Sequence, residues 1–229
     1  MKAIHQIITL GLSVVIVGGF AGDVRADSIR ETVATATEIL ANKQGTAEPI
    51  PAAALQKAKG IAIFSITKAG LVFGGSGGDG VVMIRSKAKL LSKKSWCAPI
   101  PMGFSGGSFG AQIGFSTLHL IVLLNSDAAV QVFTKPGKLD WDATAAGTAG
   151  SDQATEHEGG FLSDQDVTVY KETNGLYGGA TIGGAELDIQ DDRIQRAYGS
   201  EVSVHDILEG KVKVPDYAAR LDELMNGKH

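Results

Sequence analysis

The sequence predicts an α+β fold: a mostly antiparallel, glycine-rich twisted sheet, barrel- or sandwich-like, with N- and C-terminal helices. Three observations predict it. Thirty glycines among 229 residues are too many for a helical bundle and suit strands rich in turns and bulges. Apolar runs of strand length recur through the middle of the chain, and amphipathic helical spacing is clearest at the two ends.

Taken in order, the elements begin after a leader. Met1 and Lys2 open a short positive region, Ile7 to Phe20 is apolar, and Val24-Arg25-Ala26 places small residues at the −3 and −1 positions of a cleavage site. A secretory signal peptide over residues 1–26 is expected, which leaves one domain over 27–229. The alternative is an uncleaved membrane anchor. Asp27 to Asn42 has an apolar stripe of Ile29, Val33, Ala36 and Leu40 behind a capping-box pattern at Ser28 to Glu31, and reads as a helix. A short helix follows from Pro51 to Lys59.

Ile61 to Phe64, Leu71 to Phe73 and Val81 to Ile84 read as three short strands, the last two joined by a glycine loop over Gly74 to Gly80. Leu118 to Leu124, broken by His119, reads as a central strand. Asp127 is a candidate cap for a short helix, and residues 135–163 are irregular and acidic. Val167 to Tyr170 alternates as a strand, and Asn174-Gly175 is a hairpin signal. Ile182 to Ile189 is a further strand, Asp191 to Tyr198 and Val204 to Leu208 are short helices or turns, and Pro215 to Met225 is a closing helix.

Charge is unevenly distributed. Residues 27–139 carry twelve Lys or Arg against six Asp or Glu, whereas residues 140–229 carry seven against eighteen. A chain with this asymmetry offers one attractive face to an anionic surface, although its net charge is −4. Nucleic acid is a poor partner, because the chain is acidic overall and aromatic residues are few. Cys97 stands alone, which excludes an intrachain disulfide, and its apolar neighbour Trp96 predicts a buried, inert thiol.

Enzyme-like patterns occur but lack their structural context. Ser76 and Ser105 each sit in a Gly-x-Ser-x-Gly match, and neither is followed by a helix, as a nucleophile elbow requires. Gly75, Gly77 and Gly80 fit a dinucleotide fingerprint but lead into the strand-like Val81 to Ile84 rather than a helix N-terminus. Glu156-His157-Glu158 with Asp152 is a local cluster of donors without zinc-type spacing. His119 reads as a core histidine and His205 as a surface one. No catalytic residue, metal or cofactor is expected.

The lead that remains is the basic run from Arg85 to Lys94, which ends at Trp96. Lysines beside an anionic bilayer contribute about 1 kcal/mol each, and tryptophan suits the interfacial layer. The candidate lipid-binding residues are therefore Lys57, Lys59, Lys68, Arg85, Lys87, Lys89, Lys93, Lys94 and Trp96.

The order of motifs resembles the SYLF domain family of lipid-binding proteins. The resemblance lies in Ala58 to Phe64, Lys68-Ala69-Gly70, Gly74 to Gly80, Trp96-Cys97-Ala98-Pro99, Gly106 to Gly114, Asn174 to Gly179 and Tyr198-Gly199, and covers roughly residues 28–225. It implies non-enzymatic binding of anionic phospholipid, of phosphoinositide type in eukaryotic members, aided by an N-terminal amphipathic helix, here Asp27 to Asn42. It also implies actin binding in some eukaryotic members, an unlikely partner for an exported protein. Thr148 and Ser151 depart from the family's Gly-Pro-x-Gly-Arg run, which removes an arginine suited to phosphate. The expected setting is periplasmic or secreted, at the membrane periphery. The alternative is a structural or interaction domain of the cell envelope whose acidic C-terminal half meets a protein partner.

Overall fold

The computed structural model describes residues 29–86, 96–135, 138–141, 152–154 and 166–227. Its sheet contains β1 (Gly60–Ile84), β2 (Ile100–Leu124), β3 (Lys138–Trp141), β4 (Asp152–Ala154) and β5 (Val167–Ile189). β2 is central. It pairs antiparallel with β1 from Gly60↔Leu124 to Val82↔Ile100, and with β5 from Met102↔Ile189 to Leu124↔Val167. β3 and β4 pair with opposite ends of β5, so the five described strands form an open sheet.

A straight strand of 25 residues would run about 80 Å. β1 instead doubles back on itself. The Arg85 N–H donates to the Lys59 carbonyl at 2.8 Å, which brings the two ends of one strand together. A methyl group on Gly78 would lie 2.0 Å from the Ser65 carbonyl oxygen, and one on Gly80 would lie 2.3 Å from Phe64 Cδ1. The bend falls where the β1–β2 register slips between Leu71 and Phe73, and where Gly114 takes a φ of 137° that L side chains rarely adopt.

Two expectations fail here for the same reason. Gly74 to Gly80 is not a hairpin loop, and Asn174-Gly175 is not a turn; both lie inside continuous strands. Their local turn preference is overridden because β2 runs unbroken beside them and supplies partners at Ser108 to Met102 and at Thr117-Ser116.

The curl gives the sheet an inner and an outer face, read by alternate positions. Ala62, Phe64, Ile66, Val82, Phe104, Leu118, Leu120 and Val122 line the inner face. There they meet Phe133 of α3 (Asp127–Thr134), Ile194 of α4 (Asp191–Tyr198) and Ile207 of α5 (Val204–Leu208). Ile61, Ile63, Val81, Met83, Ile121 and Leu123 line the outer face. They are covered by α1 (Ile29–Gln44), α2 (Ala52–Lys57) and α6 (Ala219–Met225), the last entered through a 3-10 turn at Asp216–Ala218. Ser126, not Asp127, caps α3, its hydroxyl accepting from the Ala129 N–H at 3.1 Å.

One buried cation joins three of these elements. Arg193 of α4 is 5% exposed; its Nη1 donates to Asp79 of β1 at 2.6 Å and to Gln190 at 2.7 Å, and its Nη2 donates to the Thr32 hydroxyl of α1. Replacing it strands the partners it now satisfies. Because Asp79 is partly solvated, Arg193→Met is expected to cost about 2–3 kcal/mol rather than the larger loss of a fully buried pair. Urea denaturation of the two proteins measures the difference.

Candidate functional site

The outer face changes character along its length. On β2 it reads Leu123, Ile121, His119, Thr117, Phe115, Ile113, and on β1 it reads Ile61, Ile63, Ser65, Thr67, Ala69, Leu71, Phe73. The first two residues of each series lie in the core under α1. Past the end of that helix no element among the described residues covers the face, and Phe115, Ile113, Leu71 and Phe73 are 60%, 66%, 69% and 73% exposed. Leu71 lies opposite Ile113 and Ala69 opposite Phe115, so the four large side chains form one strip at the bend. Aromatic and branched side chains of this size make it an apolar surface on the order of 500 Å².

The inner face at the same bend is the opposite. Alternation puts Lys68, Ser76 and Ser116 there, with Gly70, Gly74, Gly106 and Gly114 beside them. Lys68 is half-buried, and its ammonium is pushed below its usual pKa by burial and by the nearby charge of Lys171. Apolar outside and polar inside departs from the rest of the sheet, where both faces are apolar, and it is the alternation of strands that face hydrocarbon.

Between the covered and uncovered parts of the outer face lies a shallow notch, lined by Lys43 of α1, His119 and Ile121 of β2, and Tyr170, Lys171 and Glu172 of β5. Lys43 is 5% exposed, with its ammonium 5.9 Å from the centre of the Tyr170 ring. His119 is half-buried at this boundary, not a core residue as its sequence context suggests.

Of the residues expected to bind lipid, Lys57, Lys59, Arg85 and Trp96 lie near one another where the two ends of β1 meet, and Lys68 lies apart at the bend. Trp96 is 1% exposed, under the Arg85 guanidinium at 4.1 Å from the ring centre, and cannot anchor in an interface while this fold persists. Arg85 is committed to the fold as well: Nε donates to the Ala58 carbonyl at 2.9 Å and Nη2 to the Leu55 carbonyl at 3.0 Å. Lys57 and Lys59 are exposed at the end of the sheet remote from the bend, roughly 30 Å along β1 from Lys68. Lys59 pairs with Asp127 at 2.9 Å. Lys87, Lys89, Lys93 and Lys94 lie outside the described residues, as do the leader and the Glu156-His157-Glu158 cluster.

The helix expected to meet the membrane is a core element here. Its stripe of Ile29, Val33, Ala36 and Leu40 is buried against β1 and α6. Ser76 and Ser105 occupy continuous strands with no helix after them, so neither is a nucleophile elbow. Among the described residues, no helix is long and apolar enough to cross a membrane.

Cys97 is buried as expected, its thiol 3.7 Å from the Leu208 carbonyl and pushed up to about 11 by burial. The folded state therefore holds its proton more tightly than the unfolded chain. That contribution to stability is complete below pH 9.0 and is lost as pH rises toward about 11. A thiol reagent at pH 8 is expected to label Cys97 only after denaturation; stoichiometric labelling of the folded protein would contradict this burial.

A curled sheet of long antiparallel strands between helical layers defines an α+β domain whose distinctive surface is its bend. The chain belongs to the Ysc84 family, the family of SYLF domains: the family model described as Las17-binding protein actin regulator matches residues 105–227. It is 33% identical over 193 residues to SH3 domain-containing YSC84-like protein 1 of Rattus norvegicus, covering 83% of this chain and 54% of that protein. The Homo sapiens protein of the same name is 32% identical over the same shares. Protein YSC84 of Saccharomyces cerevisiae is 29% identical over 80% of this chain and 39% of its own length. The chain thus spans about half the length, or less, of these curated relatives. No solved structure matches it.

Proposed function

We propose that this domain binds anionic phospholipid at a membrane surface, without catalysing a reaction, and that it does so on the extracytoplasmic side after export. The observation that supports it best is the bend, with Leu71, Phe73, Ile113 and Phe115 exposed outside and Lys68, Ser76 and Ser116 inside. A strip of this size is costly to leave in water, and its alternation suits a lipid phase on one side only. Basic residues of the first half of the chain supply attraction to negative headgroups, with Lys57, Lys59 and the 87–94 lysines as a second, looser contact.

Sedimentation of the full chain with vesicles tests this reading. Binding to phosphatidylcholine vesicles containing phosphatidylglycerol is expected to exceed binding to phosphatidylcholine alone, and to weaken as salt is raised. Absence of binding to either vesicle overturns it.

A second reading draws on the description of the family, which names Las17 binding and actin regulation. Under it the domain takes a protein partner through the acidic C-terminal half. Changing Lys87, Lys89, Lys93 and Lys94 to Ser would then leave activity untouched, whereas membrane binding would fall.

A further inference from the structure

The outer face of the sheet carries two apolar zones with a polar belt between them. Its β1–β2 rungs read Ile61–Leu123 and Ile63–Ile121 in the core, then Ser65–His119 and Thr67–Thr117, then Ala69–Phe115 and Leu71–Ile113 at the exposed strip. Four polar side chains on two adjacent rungs separate what α1 covers from what no described element covers.

Charge respects the same boundary. β1 carries no Asp, Glu, Lys or Arg from Ala69 to Gly78, β2 none along its whole length, and β5 none from Thr173 to Ala185. In a chain with 20% charged residues, three paired strands left bare over the same stretch mark an end built to leave water. Lys68 and Glu172 stand at one limit of this zone, and Asp79 and Glu186 at the other; Glu172 is paired with His119 of the belt, and Glu186 with Ser105 on the returning half of the sheet.

Dimensions set how deep such an end can go. From Ala69 to Phe73 the strip extends at most about 13 Å, and one leaflet of hydrocarbon is about 15 Å thick. The belt, from Ser65 to Thr67, adds about 7 Å, close to the roughly 5–8 Å of one headgroup layer. The charge-free end matches a single leaflet and is too short to cross a bilayer.

We propose that the bend inserts into the hydrocarbon of a single leaflet as far as the Thr67–Thr117 rung, and that it selects loosely packed or strongly curved lipid surfaces. The proposal rests on the membrane reading above. Leu71, Phe73, Ile113 and Phe115 take the place of acyl chains, the belt meets the headgroups, and Lys68, next to Thr67 in the chain but on the inner face, keeps its ammonium at that level. An end that enters one leaflet expands it against the other. Curvature that already stretches the entered leaflet relieves this strain, and apolar insertion is sensitive to it.

Cys97 is buried, so single cysteines introduced at Ser65, Thr67 and Leu71 can carry an environment-sensitive fluorophore. On phosphatidylcholine vesicles containing phosphatidylglycerol, the Leu71→Cys label is expected to be quenched most strongly by a nitroxide at mid-acyl chain, and the Thr67→Cys label by one near the headgroup. The Ser65→Cys label is expected to escape the mid-chain quencher. If the protein sediments with the vesicles while the Leu71→Cys label stays in water, insertion is overturned and the membrane reading stands. Mid-chain quenching of the Ser65→Cys label overturns the assigned depth.

The unmodified protein supplies a measurement that does not depend on the labels. Vesicles about 30 nm across are expected to bind it about fivefold more tightly, per outer-leaflet lipid, than vesicles about 200 nm across of the same composition. Equal binding overturns the preference for curvature, and absence of binding to either size overturns this inference together with the membrane reading.

Discussion

Gly78→Ala is expected to yield no soluble folded protein, whereas Gly75→Ala, three residues earlier on the same strand, is expected to fold with a stability change within about 1 kcal/mol. The contrast comes from the curl. A methyl at Gly78 would stand 2.0 Å from the Ser65 carbonyl oxygen and 2.8 Å from the Ile66 Cα, both backbone atoms that cannot rotate away. At Gly75 the same methyl meets nothing within 4 Å. Relieving the first clash means separating the two halves of β1 and opening the inner core around Phe64 and Val82. That loss is expected to exceed about 4 kcal/mol, a large share of the 5–15 kcal/mol that holds a typical domain together. Soluble yield and thermal unfolding of the two variants decide the matter. A stable, soluble Gly78→Ala protein would mean that the halves do not approach as closely as described.

Replacing Leu71, Phe73, Ile113 and Phe115 together by Ser is expected to abolish vesicle binding while leaving thermal stability nearly unchanged. Each side chain is at least 60% exposed, so little core packing is lost. The membrane contribution is large by comparison. Burial of roughly 500 Å² at 25 cal/mol per Å² has an upper limit near ~12 kcal/mol. If only a quarter of that is realised, its removal weakens binding by about two orders of magnitude. Unchanged vesicle binding by this variant would remove the strip from the contact. If binding persists and the protein instead changes its oligomeric state, the strip joins copies of the chain.

The parts legible in the sequence were those where local pattern and final environment agree. The apolar runs Ile61 to Phe64 and Leu118 to Leu124 identified strands, which prove to be buried on both faces, and the helical stripes of the two ends identified the helices that cover them. Glycine misled because it has two uses. In Gly74 to Gly80 it allows backbone segments to touch and a strand to curl, yet the same residues signal a turn when no partner strand is known. Trp96 misled for a related reason. Its basic sequence neighbours suggested a surface, but a bridge to Arg85 takes it inside, and that pairing crosses a gap of ten residues with no local signal.

Half of the strip was present in the sequence as Leu71 to Phe73 and read as another short strand, with nothing to mark it as exposed. Only the point at which α1 ends decides that Ile63 is covered and Leu71 is not. Lys43 was equally silent, since nothing near it in sequence indicates that it will lie against Tyr170 rather than in water.

The pairing of β1 with β2 also carries a direction in time. Its rungs close loops of very different size: Val82 and Ile100 are separated by seventeen intervening residues, Gly60 and Leu124 by sixty-three. Closure entropy grows with separation, so the near rungs form first and each one shortens the loop that the next must close. β5 has further to come, since its nearest rung to β2, Leu124 with Val167, spans forty-two intervening residues. The exposed bend is then completed only after the inner rungs have zipped past it, and such a chain folds in milliseconds to seconds rather than microseconds. During that interval Leu71 and Phe73 are apolar residues on an unfinished strand edge, the species most prone to join another copy.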